Sequence, residues 1–205
     1  MNSIRYRIEI QGLAKQFGRN LLFKNLNFTV DTGSSFCITG PNGSGKSTLL
    51  NIIAGLTKPS GGAVTYTDIG LGSIIRDWLP FIGYAGPLVN PYEDLTALEN
   101  IQFSLKNYKQ NSNIDFLFNY FNLNSYKDMK IRYYSTGMKQ RLRIILADLN
   151  DPPVLLLDEP DTNLDERGRE ILHSYLASVV KKKIIILATN DSDEEKLFDG
   201  GIRLG

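Results

Sequence analysis

The chain has 205 residues, 42% apolar and 22% charged, with 23 Lys and Arg against 22 Asp and Glu for a net charge of +1. That composition supports a packed core in one domain or two small ones; it excludes a disordered chain and gives no global positive field for nucleic acid. A single cysteine, Cys37, excludes an internal disulfide, and a single histidine, His173, excludes a His-rich metal centre or a catalyst with two imidazoles; both counts fit a reducing cytosol.

In chain order, residues 5–10 alternate as a strand and carry Arg5, Arg7 and Glu9, so the start does not read as a signal peptide. Residues 25–30 alternate again, with Leu26, Phe28 and Val30 on one face. Residues 35–39 form a short apolar run. Leu49, Ile52, Ile53 and Leu56 follow helical spacing after Lys46, and Gly55 and Pro59 close that helix. Residues 81–84 read as a short strand. From Glu99 to Tyr134 the texture becomes Asn-rich and aromatic, with Phe103, Tyr108, Phe116, Phe118, Tyr120, Phe121 and Tyr126, as expected of an inserted helical segment. Residues 139–149 and 171–179 have helical periods. Residues 154–157 and 184–188 are continuous apolar runs of the kind a parallel sheet buries. A last strand-like segment precedes Gly205, with no further regulatory domain expected. No run approaches 18 apolar residues, so any membrane link is expected to come through a partner.

Three segments carry chemistry. Gly40-Pro41-Asn42-Gly43-Ser44-Gly45-Lys46-Ser47 fits G-x-x-x-x-G-K-[ST] between an apolar strand and a periodic helix. Glycines there let backbone N–H groups turn inward around phosphate oxygens, and the helix N-terminus adds positive potential. Lys46 is expected at the β- and γ-phosphates of a nucleotide, Ser47 on Mg²⁺, and Thr48 near the α-phosphate. Second, the apolar run 154–157 ends in Asp158 and Glu159, two acids at the edge of a sheet where ligands bind. Asp158 is expected to hold Mg²⁺ and Glu159 to polarise the attacking water as a general base.

Third, Tyr134-Ser135-Thr136-Gly137-Met138-Lys139-Gln140-Arg141 precedes the acidic strand. It resembles the signature of ATP-binding cassette (ABC) ATPases, usually L-S-G-G-Q; Ser135 and Gly137 match, while Tyr134, Thr136 and Met138 are variants. Asp158-Glu159-Pro160 and Asn163-Leu164-Asp165 look like that family's Walker B and D-loop. The resemblance runs from about Ile8 to Gly205. It implies an α/β P-loop NTPase with a mainly parallel, RecA-like sheet, an N-terminal antiparallel β subdomain and an inserted α-helical subdomain. In that reading residues 1–86 and 135–205 form the catalytic core and 87–134 the helical subdomain of one ABC ATPase domain.

The resemblance also implies a head-to-tail pair of cassettes, either two copies or this chain with a related subunit. Ser135 and the Gly137 N–H would then meet the γ-phosphate held by the other subunit's loop. Asp165 would be the D-loop acid, and Phe17 would stack on adenine. Two positions depart from the family. Where a Gln follows the Ile82-Gly83-Tyr84 strand, this chain runs Ala85-Gly86-Pro87-Leu88, and Pro87 has neither N–H nor ligating side chain. Where the family has a switch histidine, this chain has Asn190, which can donate a neutral hydrogen bond but cannot act as acid or base.

The resemblance therefore implies an ATP-binding, slowly hydrolysing subunit, cytoplasmic and peripheral to the membrane. It would drive a separate transmembrane permease, with Leu88, Val89, Tyr92 and Leu95 facing the permease's coupling helix. Short exporter-type cassettes, including haem-exporter and ABC-2-like proteins, are the nearest pattern. Two alternatives remain open: a degenerate regulatory subunit paired with an active cassette, and a non-transport ABC ATPase, for which the chain lacks a basic patch. His173 and Cys37 are expected to have packing roles.

Overall fold

A computed structural model describes residues 5–87, 89–104, 113–191 and 194–205. Two sheets organise it. The first is antiparallel and contains β1 (Tyr6–Phe17), β2 (Asn20–Asp31), β4 (Gly61–Asp68) and β5 (Ser73–Ile74), in the order β2-β1-β4-β5. The second is parallel and contains β3 (Ser35–Thr39), β6 (Ile82–Ala85), β7 (Val154–Asp158), β8 (Ile184–Thr189) and β9 (Gly200–Arg203), in the order β6-β7-β8-β3-β9. Five α-helices accompany them among the described residues: α1 (Lys46–Ile53), α2 (Ala97–Ser104), α3 (Asn113–Tyr120), α4 (Thr136–Asp148) and α5 (Glu166–Val179).

The parallel strands read as unbroken apolar runs because both their faces are covered. Ile38, Leu156, Ile184 and Ile186 pack with Leu49 and Ile53 of α1 and with Ile8 and Ile10 of β1. Cys37, Leu157, Ile185 and Leu187 face the other way, toward Leu142 and Ile145 of α4 and Leu172 of α5. Phe118 and Phe121 enter this second cluster, so the aromatic segment shares the main core. Its helix α2 opens on a reciprocal cap: the Glu99 N–H donates to Thr96 Oγ1 at 3.1 Å and the Thr96 N–H to Glu99 Oε2 at 2.7 Å.

Several boundaries move. β1 and β2 run well beyond the expected 5–10 and 25–30, since their outer halves pair as a hairpin through Phe17 and Asn20. Strand β4 pairs along β1 although only Tyr66 in it is fully buried, which leaves little apolar alternation to read. Helix α1 ends at Ile53, short of Leu56, where Gly55 takes a left-handed φ of 78°. Helices α4 and α5 begin earlier than their apolar periods, because Ser135 and Asp165 cap them. No described helix is long and apolar enough to cross a membrane.

Candidate nucleotide site

Register brings the site together. Thr39 pairs with Thr189 and Ala188 with Asp158, so the loop after β3, the two acids at the end of β7 and Asn190 after β8 lie at one carboxyl edge of the sheet. Asn190 is exposed there.

The phosphate loop closes on itself. Gly40 has φ 146°, and a Cβ on it would lie 2.3 Å from the Leu204 carbonyl oxygen, so only glycine fits. Gly45 caps α1 in a left-handed conformation without a side-chain cap, and the first turn holds no acid. The N–H groups at this helix start therefore keep their positive potential for an anion. Lys46 is 5% exposed; its Nζ donates to the carbonyls of Gly40 at 2.8 Å and Pro41 at 3.2 Å. The Ser44 hydroxyl is buried with no hydrogen-bond partner among the described residues.

The acids behave differently from each other. Asp158 is 3% exposed, and neither carboxylate oxygen closes a full hydrogen bond with a described residue. Burial raises its pKa above the ordinary value, the charge of Glu159 adds to that rise, and the facing Ser47 hydroxyl and Lys46 ammonium oppose it. The Tyr84 hydroxyl faces the same carboxylate and is itself raised, first by burial and then by that charge. Two orphaned oxygens beside a serine hydroxyl are a donor set that a hard divalent cation fits. Glu159 is a third exposed, and its Oε1 lies 3.8 Å from Lys46 Nζ. Its backbone is left-handed, φ 48°, held by its own N–H on the Ala188 carbonyl at 2.8 Å.

Other expected residues lie nearby or form a second group. Phe17 is 54% exposed at the β1–β2 hairpin, with Lys15 Nζ over one face of its ring at 4.5 Å. The same hairpin reaches the loop, because Leu22 and Phe23 come within 3.3 Å of a Cβ built on Gly45. Ser135 accepts from the Met138 N–H, and Asp165 from the Gly168 N–H. Both line a depression of about 330 Å³ that contains no phosphate-loop residue. Gly137 abuts the Asn163 carbonyl, 3.0 Å from where a Cβ would sit. Asn42 and Gly43 complete the loop, and Ser47 and Thr48 occupy the first turn of α1. Pro87 is exposed, and Leu88 lies outside the described residues. His173 lines a cavity with Ser35 and Ile185 near the opposite edge of the sheet, and Cys37 is fully buried. The sequence reading missed Tyr84 and Gln140; Gln140 is four residues before the buried Ile144 on α4, a spacing that already puts it on the inner face.

A glycine-rich loop feeding a helix at a parallel sheet edge, with two acids at the end of the next strand but one, defines a P-loop nucleotide-binding protein. The profile of the ABC transporter family matches residues 23–162. This chain belongs to the ABC transporter family. It is 34% identical over 199 residues to the Nod factor export ATP-binding protein I of Rhizobium sp. (strain N33), covering 94% of this chain and 66% of that protein. The counterpart in Burkholderia lata is 33% identical over the same shares. The chain thus spans just under two thirds of the length of these relatives. Among solved structures, the dimeric bacterial ABC transporter cassette MJ0796 superposes with a TM-score of 0.82 at 28% identity, covering 96% of this chain and 94% of that one. MJ0796 in a dimeric post-hydrolysis state with ADP and Pi gives 0.81 at 27%, over 96% of this chain and 94% of that one.

Proposed function

We propose that this chain is the ATP-binding and ATP-hydrolysing subunit of an exporter, working as a cassette pair on the cytoplasmic side of a separate permease. The observation that carries the reading is the convergence of Lys46, the orphaned Ser44 hydroxyl and the orphaned Asp158 carboxylate at the start of α1. In this reading the loop 40–45 and Thr48 wrap the phosphates, and Lys46 leaves its carbonyl partners for the β- and γ-oxygens. Phe17 offers its uncovered ring face to adenine. Ser47 and Asp158 would hold Mg²⁺, which supplies charge neutralisation to the phosphates when bound. Glu159 accepts a proton from water as that oxygen attacks the γ-phosphorus; the bond to the β–γ bridging oxygen breaks and ADP leaves. Asn190 donates a neutral hydrogen bond from the sheet edge. Ser135, Gly137 and Asp165 complete the partner cassette's site.

The export assignment and the pairing draw on the names of the relatives and on the dimeric neighbours. Residues 87–134 serve as the helical subdomain. Between them and the core runs a groove of about 400 Å³ lined by Val89, Tyr92 and Phe103, where a permease helix would seat. Leu95 does not line it. Pro87 and Asn190 favour one second reading, a nucleotide-binding subunit without useful turnover beside an active cassette. Phosphate release by the purified protein, compared with Glu159→Gln and Lys46→Ala, tests both. Turnover abolished by either change supports the first; ATP binding with no release, alone and with its partner, supports the second.

A further inference from the structure

We infer that Gln140, Arg143 and Asn90 form a positioning relay that couples the permease-facing groove to the backbone of Glu159; this rests on the ATPase reading above. The observation is a continuous chain of side-chain hydrogen bonds. Gln140 is 5% exposed, and its Nε2 donates to the carbonyl oxygens of Glu159 at 3.3 Å and Pro160 at 3.1 Å. Its Oε1 accepts from Arg143 Nη1 at 2.8 Å. Arg143 Nη2 donates to Asn90 Oδ1 at 2.5 Å, and Asn90 Nδ2 donates to the Pro87 carbonyl at 2.9 Å. Asn90 also lines the groove between the helical segment and the core.

Each link fixes the next. An amide can face either way, and Arg143 donating to Oε1 leaves Nε2 as the end that meets Glu159. Glu159 needs that clamp, because a non-glycine residue at φ 48° is costly unless its surroundings over-determine it. The half-buried Arg143 guanidinium bonds two neutral amide oxygens, and its Nε is buried without a hydrogen-bond partner among the described residues. Such a cation is held by geometry, so a shift of Asn90 releases it readily. The relay starts three residues after Pro87, in the same loop where the family's glutamine is missing. It offers this chain a route from loop to catalytic acid that passes through main-chain position. An occupant of the groove that moves Asn90 would thereby reset the aim of the Glu159 carboxylate.

The test uses Asn90→Ala, Arg143→Met, their double variant and Asn90→Asp, which keeps an acceptor for Arg143. Two readouts are taken. In nucleotide-free protein, amide hydrogen exchange at Glu159 and Thr162, whose N–H groups bond the Ala188 and Glu159 carbonyls, is expected to quicken in the first three variants and not in Asn90→Asp. In turnover, kcat is expected to fall about three- to tenfold with KM for ATP unchanged, the loss of one well-placed hydrogen bond. The double variant should be no worse than Arg143→Met alone. Unchanged exchange at Glu159 and Thr162 in Asn90→Ala overturns the relay, as do additive losses. If the parent releases no phosphate, the ATPase reading fails, and exchange alone still decides the relay.

Discussion

Lys46 Nζ stands 3.8 Å from Glu159 Oε1 while donating to the carbonyls of Gly40 and Pro41. The same ammonium thus closes the loop and lies within reach of the acid proposed to activate water. Removing either end has separable consequences. Lys46→Ala is expected to weaken ATP binding by tenfold or more, since a charge-assisted contact to phosphate is lost. Glu159→Gln is expected to bind ATP like the parent and to lose about 10²–10⁴-fold in phosphate release, the usual worth of a positioned base. Titration calorimetry for binding and a coupled phosphate assay for turnover check the pair.

Phe17 has one ring face occupied by Lys15 and more than half its surface exposed. A core residue would not be left so open. Phe17→Ala is expected to weaken ATP binding about tenfold, within the range of one base–aromatic stack, while Phe17→Tyr stays near the parent. Inorganic triphosphate has no base to stack and should bind parent and Phe17→Ala alike. Equal losses for both ligands would remove Phe17 from the base platform.

What the sequence makes legible follows burial. Strands β3, β7 and β8 are enclosed on both faces, so they appear as apolar runs and end where the site begins. The phosphate loop and the two acids are local motifs and need no tertiary information. Strand β4 is harder: its pairing with β1 comes from backbone register, and its side chains are mostly half-exposed. The polar relay is harder still: the spacing of Gln140 to Ile144 marks the inner face of α4, but nothing local ties it to Asn90, fifty residues away. The buried pair of Lys183 with Asp148, 2.5 Å apart and backed by the Tyr175 hydroxyl, is equally hidden in the sequence, because it joins residues 35 positions apart.

Gly40 and Gly43 give a graded test of the loop. Both have left-handed φ, but a Cβ on Gly40 meets the Leu204 carbonyl at 2.3 Å and one on Gly43 meets nothing within 4 Å. Gly43→Ala is expected to cost about 1–2 kcal/mol from backbone conformation alone. Gly40→Ala adds a main-chain clash and is expected to cost about 3 kcal/mol or more. At roughly 2–4 °C per kcal/mol for a chain of this size, the Tm of Gly40→Ala should lie several degrees below that of Gly43→Ala. Thermal melts without nucleotide decide the order; a reversed order would show that the approach of Leu204 does not constrain the loop.

Asp158 links the site to stability through pH. Burial raises its folded pKa above the unfolded reference of 3.8. A carboxyl raised on folding contributes stability that is fully present below the unfolded value and is lost as pH rises through the folded one. At neutral pH the ionised, orphaned carboxylate therefore costs the nucleotide-free protein stability. Asp158→Asn removes that charge and is expected to raise Tm at pH 7 without nucleotide, with the gain shrinking as pH falls toward 3.8. With ATP and Mg²⁺ the order should reverse. The parent gains about 2.7 kcal/mol at a ligand concentration of 100 Kd, and the variant, lacking the carboxylate for the cation, should gain little. Melts across pH, each with and without ATP and Mg²⁺, measure both effects. An Asp158→Asn variant less stable than the parent at pH 7 without ligand would mean that the carboxylate is satisfied in the free protein, and its role as a waiting cation ligand would lose its physical basis.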